Sequence, residues 1–202
     1  MIIKFMKILV FLFFINIQLM GQNNSCTQLD IILLGDFSSS VKDERPTIIK
    51  TYKQFVDNLN INKININVGI VLFGDNARTI INLSDNKIKI KNEVNKMDTV
   101  DLGMSTNLYS GLELSKQILE NYGREGIKKF IILISDGDPN NEVNSMNKAN
   151  EIKLNNIKIC GVYIENNVGS KEYMKEISSF QYYFESNYRV LIHTLNNLNF
   201  CF

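Results

Sequence analysis

Four short apolar runs constrain the fold of this chain most, because each is almost continuous rather than alternating. They occupy residues 29–34, 68–73, 130–134 and 157–164. Strands that are covered on both faces have this pattern, and such strands are usually parallel. Between the runs, apolar residues recur at helical spacing, over residues 48–59, 108–122 and 143–152. Strands that alternate with helices predict right-handed crossover units around a doubly wound parallel sheet.

Two further segments complete the predicted sheet. Residues 78–83 follow the second apolar run after only the turn Gly74-Asp75-Asn76, which predicts an antiparallel hairpin at a sheet edge. The tail supplies a strand at 182–185 and an amphipathic helix at 188–198. We therefore expect a three-layer α/β/α fold of the doubly wound type, with a mostly parallel six-stranded sheet and one antiparallel edge strand. The length of 202 residues fits one domain, at 22–202.

The first residues differ from the rest of the chain. Lys4 and Lys7 precede an apolar run at 8–15, and the small residue Gly21 follows. This layout predicts a secretory signal peptide over residues 1–21, cleaved near Gly21, and hence a secreted or extracellular product. The apolar run is shorter than the roughly 20 residues that a membrane span needs. An uncleaved membrane anchor is the alternative, whereas cleavage would leave no segment that inserts directly into a membrane.

Charge and cysteine positions narrow the class of protein further. With 22 Lys and Arg against 21 Asp and Glu, the net charge of +1 gives no bulk attraction to nucleic acid. In an oxidising compartment Cys26 and Cys201, near the chain ends, could form a disulfide, or Cys201 could be a free terminal thiol. Cys160 lies within an apolar run and is expected to be buried. Asn23 and Asn82 begin Asn-x-Ser sequons, which are candidate glycosylation sites.

Oxygen-bearing side chains cluster after the predicted strands. Asp36, Ser38 and Ser40 follow the first run, Thr106 precedes a helix, and Asp136 follows the third run. In an open parallel sheet, ligands bind beyond the carboxyl ends of the strands, so these residues should share one edge. Oxygen-only donors favour a hard cation, Mg²⁺ first, with Mn²⁺ or Ca²⁺ as alternatives. Taken alone, the Asp36–Ser40 segment and Thr106 are also typical of helix N-caps, and Asp136-Gly137 is typical of a turn.

These segments resemble the metal-ion-dependent adhesion site of the von Willebrand factor A family, to which integrin inserted domains also belong. The family's Asp-x-Ser-x-Ser matches Asp36, Ser38 and Ser40, its Thr matches Thr106, and its later Asp matches Asp136. The resemblance implies direct coordination by the serines, direct or water-mediated coordination by Thr106, and aspartates that act largely through water. It also implies an acidic partner residue that completes the octahedron, a Cys26–Cys201 disulfide, and a final helix that moves to switch affinity.

Some residues depart from the family pattern or lie beside it. Gly35 stands where a branched apolar residue is usual, Leu108 replaces a common Thr, and Phe37 replaces a common Gly. We expect Phe37 to reshape the mouth of the site or to place an aromatic ring beside the ligand. Asp75 and Asp138 are expected in solvated turns, with Asp138 near enough to Asp136 to tune the charge of the site.

The resemblance implies a secreted or surface module for divalent-cation-dependent adhesion, which binds an extracellular protein through an Asp or Glu of that partner. The alternative is a structural or assembly subunit in which the ion serves stability. A hydrolytic enzyme that attacks a phosphate ester through metal-bound water would need a general base. The lone histidine, His193, falls in the predicted terminal helix without a recognisable nucleophile, so we expect no enzymatic activity.

Overall fold

The sheet at the centre of the molecule confirms the predicted architecture. The computed structural model describes residues 28–165 and 170–200. Its strands are β1 (Leu29–Asp36), β2 (Ile66–Phe73), β3 (Ala77–Ser84), β4 (Lys128–Ser135), β5 (Ile157–Ile164) and β6 (Tyr183–Ser186). They form one six-stranded sheet with the order β3-β2-β1-β4-β5-β6. Only the β2–β3 pair is antiparallel in this part of the chain, as the short turn between them predicts.

The register of the central strands aligns their carboxyl ends. In β1, Asp36 lies beside Phe73 of β2, and Gly35 lies beside Ile134 of β4. The segments that leave β1, β2 and β4 therefore emerge together at the carboxyl ends of the strands. A doubly wound fold places its ligands at this end of the sheet.

Helices cover both faces of the sheet. They are α1 (Arg45–Asn58), α2 (Lys87–Asn95), α3 (Leu108–Tyr122), α4 (Glu142–Leu154), α5 (Lys171–Ile177) and α6 (Leu191–Asn196), with 3₁₀ helices at Ser39–Glu44 and Lys96–Thr99. Consecutive residues of each central strand face opposite sides. Ile31 packs in the core under α1 and α6, whereas Ile32 packs in the core under α3, α4 and α5. Burial on both faces explains why the apolar runs do not alternate.

Three details differ from the sequence-based expectation. Helices α2 and α5 were not expected, because α2 buries only Ile90 and Val94 and α5 only Met174 and Ile177. Strand β6 runs one residue later than expected. The final helix is shorter than the expected 188–198, since the side chain of Asn187 accepts the N–H groups of Arg189 and Val190 and forms a turn there.

At the amino-terminal end of the parallel strands, one ion pair joins several segments of the chain. Asp30 is fully buried, and its carboxylate accepts the backbone N–H of Arg124 at 2.6 Å and its Nε–H at 2.8 Å. The guanidinium also donates to the carbonyls of Leu29, Lys63, Ile64 and Asn65. Arg124 thereby joins β1 to the segments before β2 and β4. Within the described ranges, no helix is long and apolar enough to cross a membrane.

Candidate metal centre

Asp36 is the last residue of β1, and its carboxylate is held from two directions. Its Oδ1 accepts the backbone N–H of Ser38 at 2.9 Å. Its Oδ2 accepts the hydroxyl hydrogen of Ser135, the last residue of β4, at 2.7 Å. Asp36 is only 3% exposed. The two hydrogen bonds therefore fix the carboxylate in one orientation beneath the surface.

The two candidate serines extend this network to Asp136. The hydroxyls of Ser38 and Ser40 lie 3.0 Å apart, and Ser40 donates to Asp136 Oδ1 at 3.1 Å. Ser38 and Asp136 are buried, but Ser40 is exposed. The structure thus brings four of the five sequence-predicted ligands together, in a cluster that opens to solvent on the side of Ser40.

Thr106 lies on a loop beside this cluster. Its backbone N–H donates to Asn140 Oδ1 at 3.1 Å, and its carbonyl accepts the backbone N–H of Asn140 at 3.0 Å. The same loop is joined to the first segment by a bond from the Ser39 hydroxyl to the Met104 carbonyl, at 3.2 Å. These bonds place Thr106 at the same end of the sheet as the other four candidates.

Asp75 has a role that sequence reasoning missed. It lies in an exposed turn, as expected, but its Oδ1 accepts the backbone N–H groups of Met104 at 3.0 Å and Ser105 at 2.7 Å. These bonds, that of Ser105 first, hold the pKa of Asp75 below its usual value. Gly103 supplies the left-handed backbone, with φ of 83°, that the turn before Met104 requires. Asp75 thus fixes the loop that carries Thr106.

Burial sets the electrostatics of the centre. It raises the pKa of Asp36 to about 6, and the charge of Asp136 adds to that rise, while hydrogen bonds from Ser135 and Ser38 oppose it. No described Lys or Arg forms an ion pair with Asp36; the nearby Arg45 guanidinium donates instead to the carbonyls of Phe37 and Val100. The carboxylate is therefore desolvated, and no described Lys or Arg is ion-paired with it.

The donor set fits a hard divalent cation. Two carboxylates and the hydroxyls of Ser38 and Ser40 offer oxygen alone, which suits Mg²⁺, Mn²⁺ or Ca²⁺. In the described part of the chain, no three Asp, Glu, His or Cys side chains form a cluster that could hold an ion. A cation at this centre would therefore depend on neutral hydroxyl oxygens as well as carboxylates.

The residues that depart from the family pattern are explained by packing. The expectation that Phe37 shapes the mouth of the site is wrong, because its ring is fully buried and Arg45 lies 5.0 Å above it. Gly35 is required because a Cβ there would collide with the Tyr52 hydroxyl. Leu108 is buried in the core under α3. None of the three faces the candidate centre as a ligand.

Sequence reasoning also missed three supporting residues. Ser135 orients Asp36, and Asn140 holds Thr106. Burial raises the pKa of the Tyr188 hydroxyl, and the charges of Asp136 and Asp36 add to that rise. Adjacency to Asp136 was the one available signal for Ser135. For Tyr188 there was none, because it is about 50 residues further along the chain.

The remaining candidates lie elsewhere or outside the described residues. Cys160 is buried in β5, as expected, and burial raises the pKa of its thiol to about 12. Asn82 is exposed on the edge strand β3, and His193 is exposed on α6. Asp138 is exposed, and its Oδ1 accepts the backbone N–H of Ser170 at 2.7 Å. The predicted signal peptide at 1–21, Asn23, Cys26 and Cys201 lie outside the described residues.

Comparison with known families supplies the identification. The model of the von Willebrand factor type A domain matches residues 30–197, which is most of the chain. This chain belongs to the von Willebrand factor type A domain family. Relatives in that family include the thrombospondin-related anonymous protein of Plasmodium berghei, 29% identical over 145 residues, and integrin alpha-2 of Bos taurus, 23% identical over 164 residues. The two alignments cover 67% and 75% of this chain but only 24% and 14% of those proteins.

Solved structures share the fold. The manganese-loaded TRAP protein of Plasmodium vivax has a TM-score of 0.71 at 20% identity, over 84% of this chain and 72% of that one. Proximal thread matrix protein 1 from the mussel byssus, with a zinc-occupied MIDAS motif, has a TM-score of 0.70 at 23% identity, over 85% and 46%. At these identities the likeness establishes the doubly wound von Willebrand fold alone.

Proposed function

We propose that this domain is a divalent-cation-dependent adhesion module that captures a partner protein through an Asp or Glu of that partner. One cation, Mg²⁺ first, with Mn²⁺ or Ca²⁺ as alternatives, would be held by Asp36, Ser38, Ser40, Thr106 and Asp136. The observation that carries the proposal is the network in which the Ser38 and Ser40 hydroxyls, 3.0 Å apart, connect the two aspartates. The partner's carboxylate would complete the coordination.

The chemistry of the cluster supports an exposed, ligand-seeking ion. Only two of the five candidate side chains are charged, and neutral hydroxyl oxygens leave a cation with affinity for a further carboxylate. Ser40 is exposed, which gives a partner access. Asp75 and Asn140 hold the neighbouring loop by backbone hydrogen bonds, so little ordering is required when a partner binds.

The relatives support the same proposal at a coarser level. They include a manganese-loaded TRAP protein and a mussel byssus protein with a zinc-occupied MIDAS motif. By analogy we propose a secreted or extracellular domain over residues 22–202, released by cleavage of a signal peptide at 1–21. We further propose that it acts by binding and not by catalysis, since exposed His193 lies on α6, outside the loops that carry the candidate ligands.

The decisive experiment separates metal binding from partner binding. Mn²⁺ affinity is measured by electron paramagnetic resonance, and then an immobilised Gly-Gly-Asp-Gly-Gly peptide is compared with its Asn counterpart. We expect binding of the Asp peptide in Mn²⁺, no binding in EDTA, and no binding of the Asn peptide. Asp36→Ala should abolish both Mn²⁺ and peptide binding while the domain stays folded. Peptide binding that persists in EDTA would refute the proposal.

A structural or assembly role predicts a different result. Chelation would then lower the melting temperature but leave association with a partner intact. The same Mn²⁺ and EDTA series, with folding measured by circular dichroism, distinguishes the two functions. If the ion mediates adhesion, EDTA should abolish peptide binding while the domain is still folded.

A further inference from the structure

Met104 is the large apolar side chain most exposed beside the candidate centre. It is 78% exposed, although a methionine is usually buried. It lies two residues before Thr106, and its carbonyl is bound by Ser39, the residue between the two candidate serines. The exposed side chain therefore belongs to a loop that is joined directly to the segment of the candidate serines.

The backbone of Met104 is fixed even though its side chain is free. Asp75 accepts its N–H at 3.0 Å, Ser39 donates to its carbonyl at 3.2 Å, and Asp101 accepts the N–H of Gly103 at 3.1 Å. A flexible, polarisable side chain on a rigid loop suits contact with apolar groups of varied shape. Because the loop is already ordered, burial of Met104 by a partner would cost little conformational entropy.

Charge around Met104 narrows the chemistry of its partner. Asp75 and Asp101 are both exposed on the adjoining turns. Their carboxylates repel a second acidic residue, so an acidic stretch in the partner would be disfavoured beyond the one carboxylate that the cation takes. The two carboxylates thus disfavour a second acidic residue in the partner, and the exposed Met104 side chain itself favours an apolar neighbour to the partner's one acidic residue.

We infer that the partner segment carries one acidic residue and, two residues away from it, an aliphatic side chain that packs on Met104. This inference rests on the proposed function, since the acidic residue is placed by the cation. In an extended segment, side chains two residues apart lie on the same side. The segment is thus of the form acidic residue, spacer, aliphatic residue, in either direction.

The test uses peptides of the form Gly-X-Gly-Asp-Gly-X-Gly, with Leu, Ser or Glu at X, on the full chain in Mn²⁺. We expect the Leu peptide to bind about tenfold more tightly than the Ser peptide, and the Glu peptide to bind more weakly than either. Met104→Ser should reduce the Leu preference below about twofold while Mn²⁺ affinity, measured by electron paramagnetic resonance, is unchanged.

Ile88 offers a matched control. It is 74% exposed and lies in the first turn of α2, whose Lys87 contacts the end of α1 at Asp57, remote from the loop of Met104. Ile88→Ser should keep the full preference for Leu. Equal binding of the Leu and Ser peptides, or an unchanged preference in Met104→Ser, would overturn the inference and leave the proposed function standing. Absence of any Mn²⁺-dependent difference between Asp peptides and their Asn counterparts would overturn both.

Discussion

The Ser135 hydroxyl donates to Asp36 Oδ2 at 2.7 Å, across the ends of two neighbouring parallel strands. This bond holds a buried carboxylate at the carboxyl end of the strands. No Lys or Arg of the described chain forms an ion pair with it. A carboxylate in this position destabilises the metal-free fold when ionised and offers an oriented ligand when a cation arrives. Stability and metal binding should therefore depend on the same group.

Replacement of Asp36 by Asn should stabilise the metal-free domain at neutral pH. Burial raises the pKa of Asp36 from 3.8 to about 6, so between these values the folded state binds more protons than the unfolded state. Stability in EDTA should thus fall as the pH rises from about 4 to 6, by about 3 kcal/mol at most. Asp36→Asn should lack this fall. Urea denaturation across that pH range measures it, and equal pH profiles for the two proteins would contradict it.

Replacement of Ser40 by Ala should weaken Mn²⁺ binding by about one to two orders of magnitude, a typical loss when one group of a metal site is removed. Ser40 is exposed, so the free energy of unfolding of the metal-free protein should change by less than about 0.5 kcal/mol. Ser84→Ala, at the far end of β3, is the control and should leave Mn²⁺ affinity unchanged. Unaltered affinity in Ser40→Ala would exclude that hydroxyl as a ligand.

A Cβ at position 35 should destabilise the domain. Gly35→Ala would press a methyl group against the Tyr52 hydroxyl, which is buried and makes no hydrogen bond within the described residues. We expect a loss of about 1 to 3 kcal/mol, as for other overpacked cores. Tyr52→Phe removes the obstructing oxygen, and the double variant should recover most of the loss. Purely additive losses in thermal denaturation would show that the collision is not the cause.

Removal of the Arg124 side chain should destabilise the domain strongly. Arg124→Met would leave the fully buried Asp30 unpaired, at a cost of about 3 to 5 kcal/mol. Adding Asp30→Asn should restore much of the stability, because the uncompensated charge is gone. Urea denaturation measures both. Mn²⁺ affinity of the folded protein should stay unchanged, since this pair lies at the end of the strands that is remote from the candidate metal centre.

A disulfide between Cys26 and Cys201 remains a prediction outside the described residues. Phe200 packs 5.0 Å from Phe130, which lies beside Ile31 of β1. Phe200 therefore lies near the first residues of β1 and β4, close to where the chain enters the domain, which supports the pairing. Reduction of this bond should lower the free energy of unfolding by about 4 to 5 kcal/mol in the chain-entropy description. Peptide mapping by mass spectrometry under non-reducing conditions tests the bond directly.

Much of the fold was predictable from local patterns. The continuous apolar runs around Leu33, Ile70 and Ile132 predicted buried parallel strands, because side chains on both faces needed cover. The weakly apolar helices α2 and α5 escaped prediction, since each buries only two residues and tertiary contacts supply most of the stability of so short a helix.

The sequence by itself determined which short motif follows each strand. It thereby determined which residue types could hold a cation, because hydroxyl and carboxylate chemistry is local to each segment. Only the tertiary structure decided which of them meet. It joined Asp36, Ser38, Ser40 and Asp136 in one hydrogen-bonded cluster, buried Phe37 away from it, and exposed Met104 beside it. Those outcomes depend on strand register and on packing between residues distant in the chain, which no local pattern encodes.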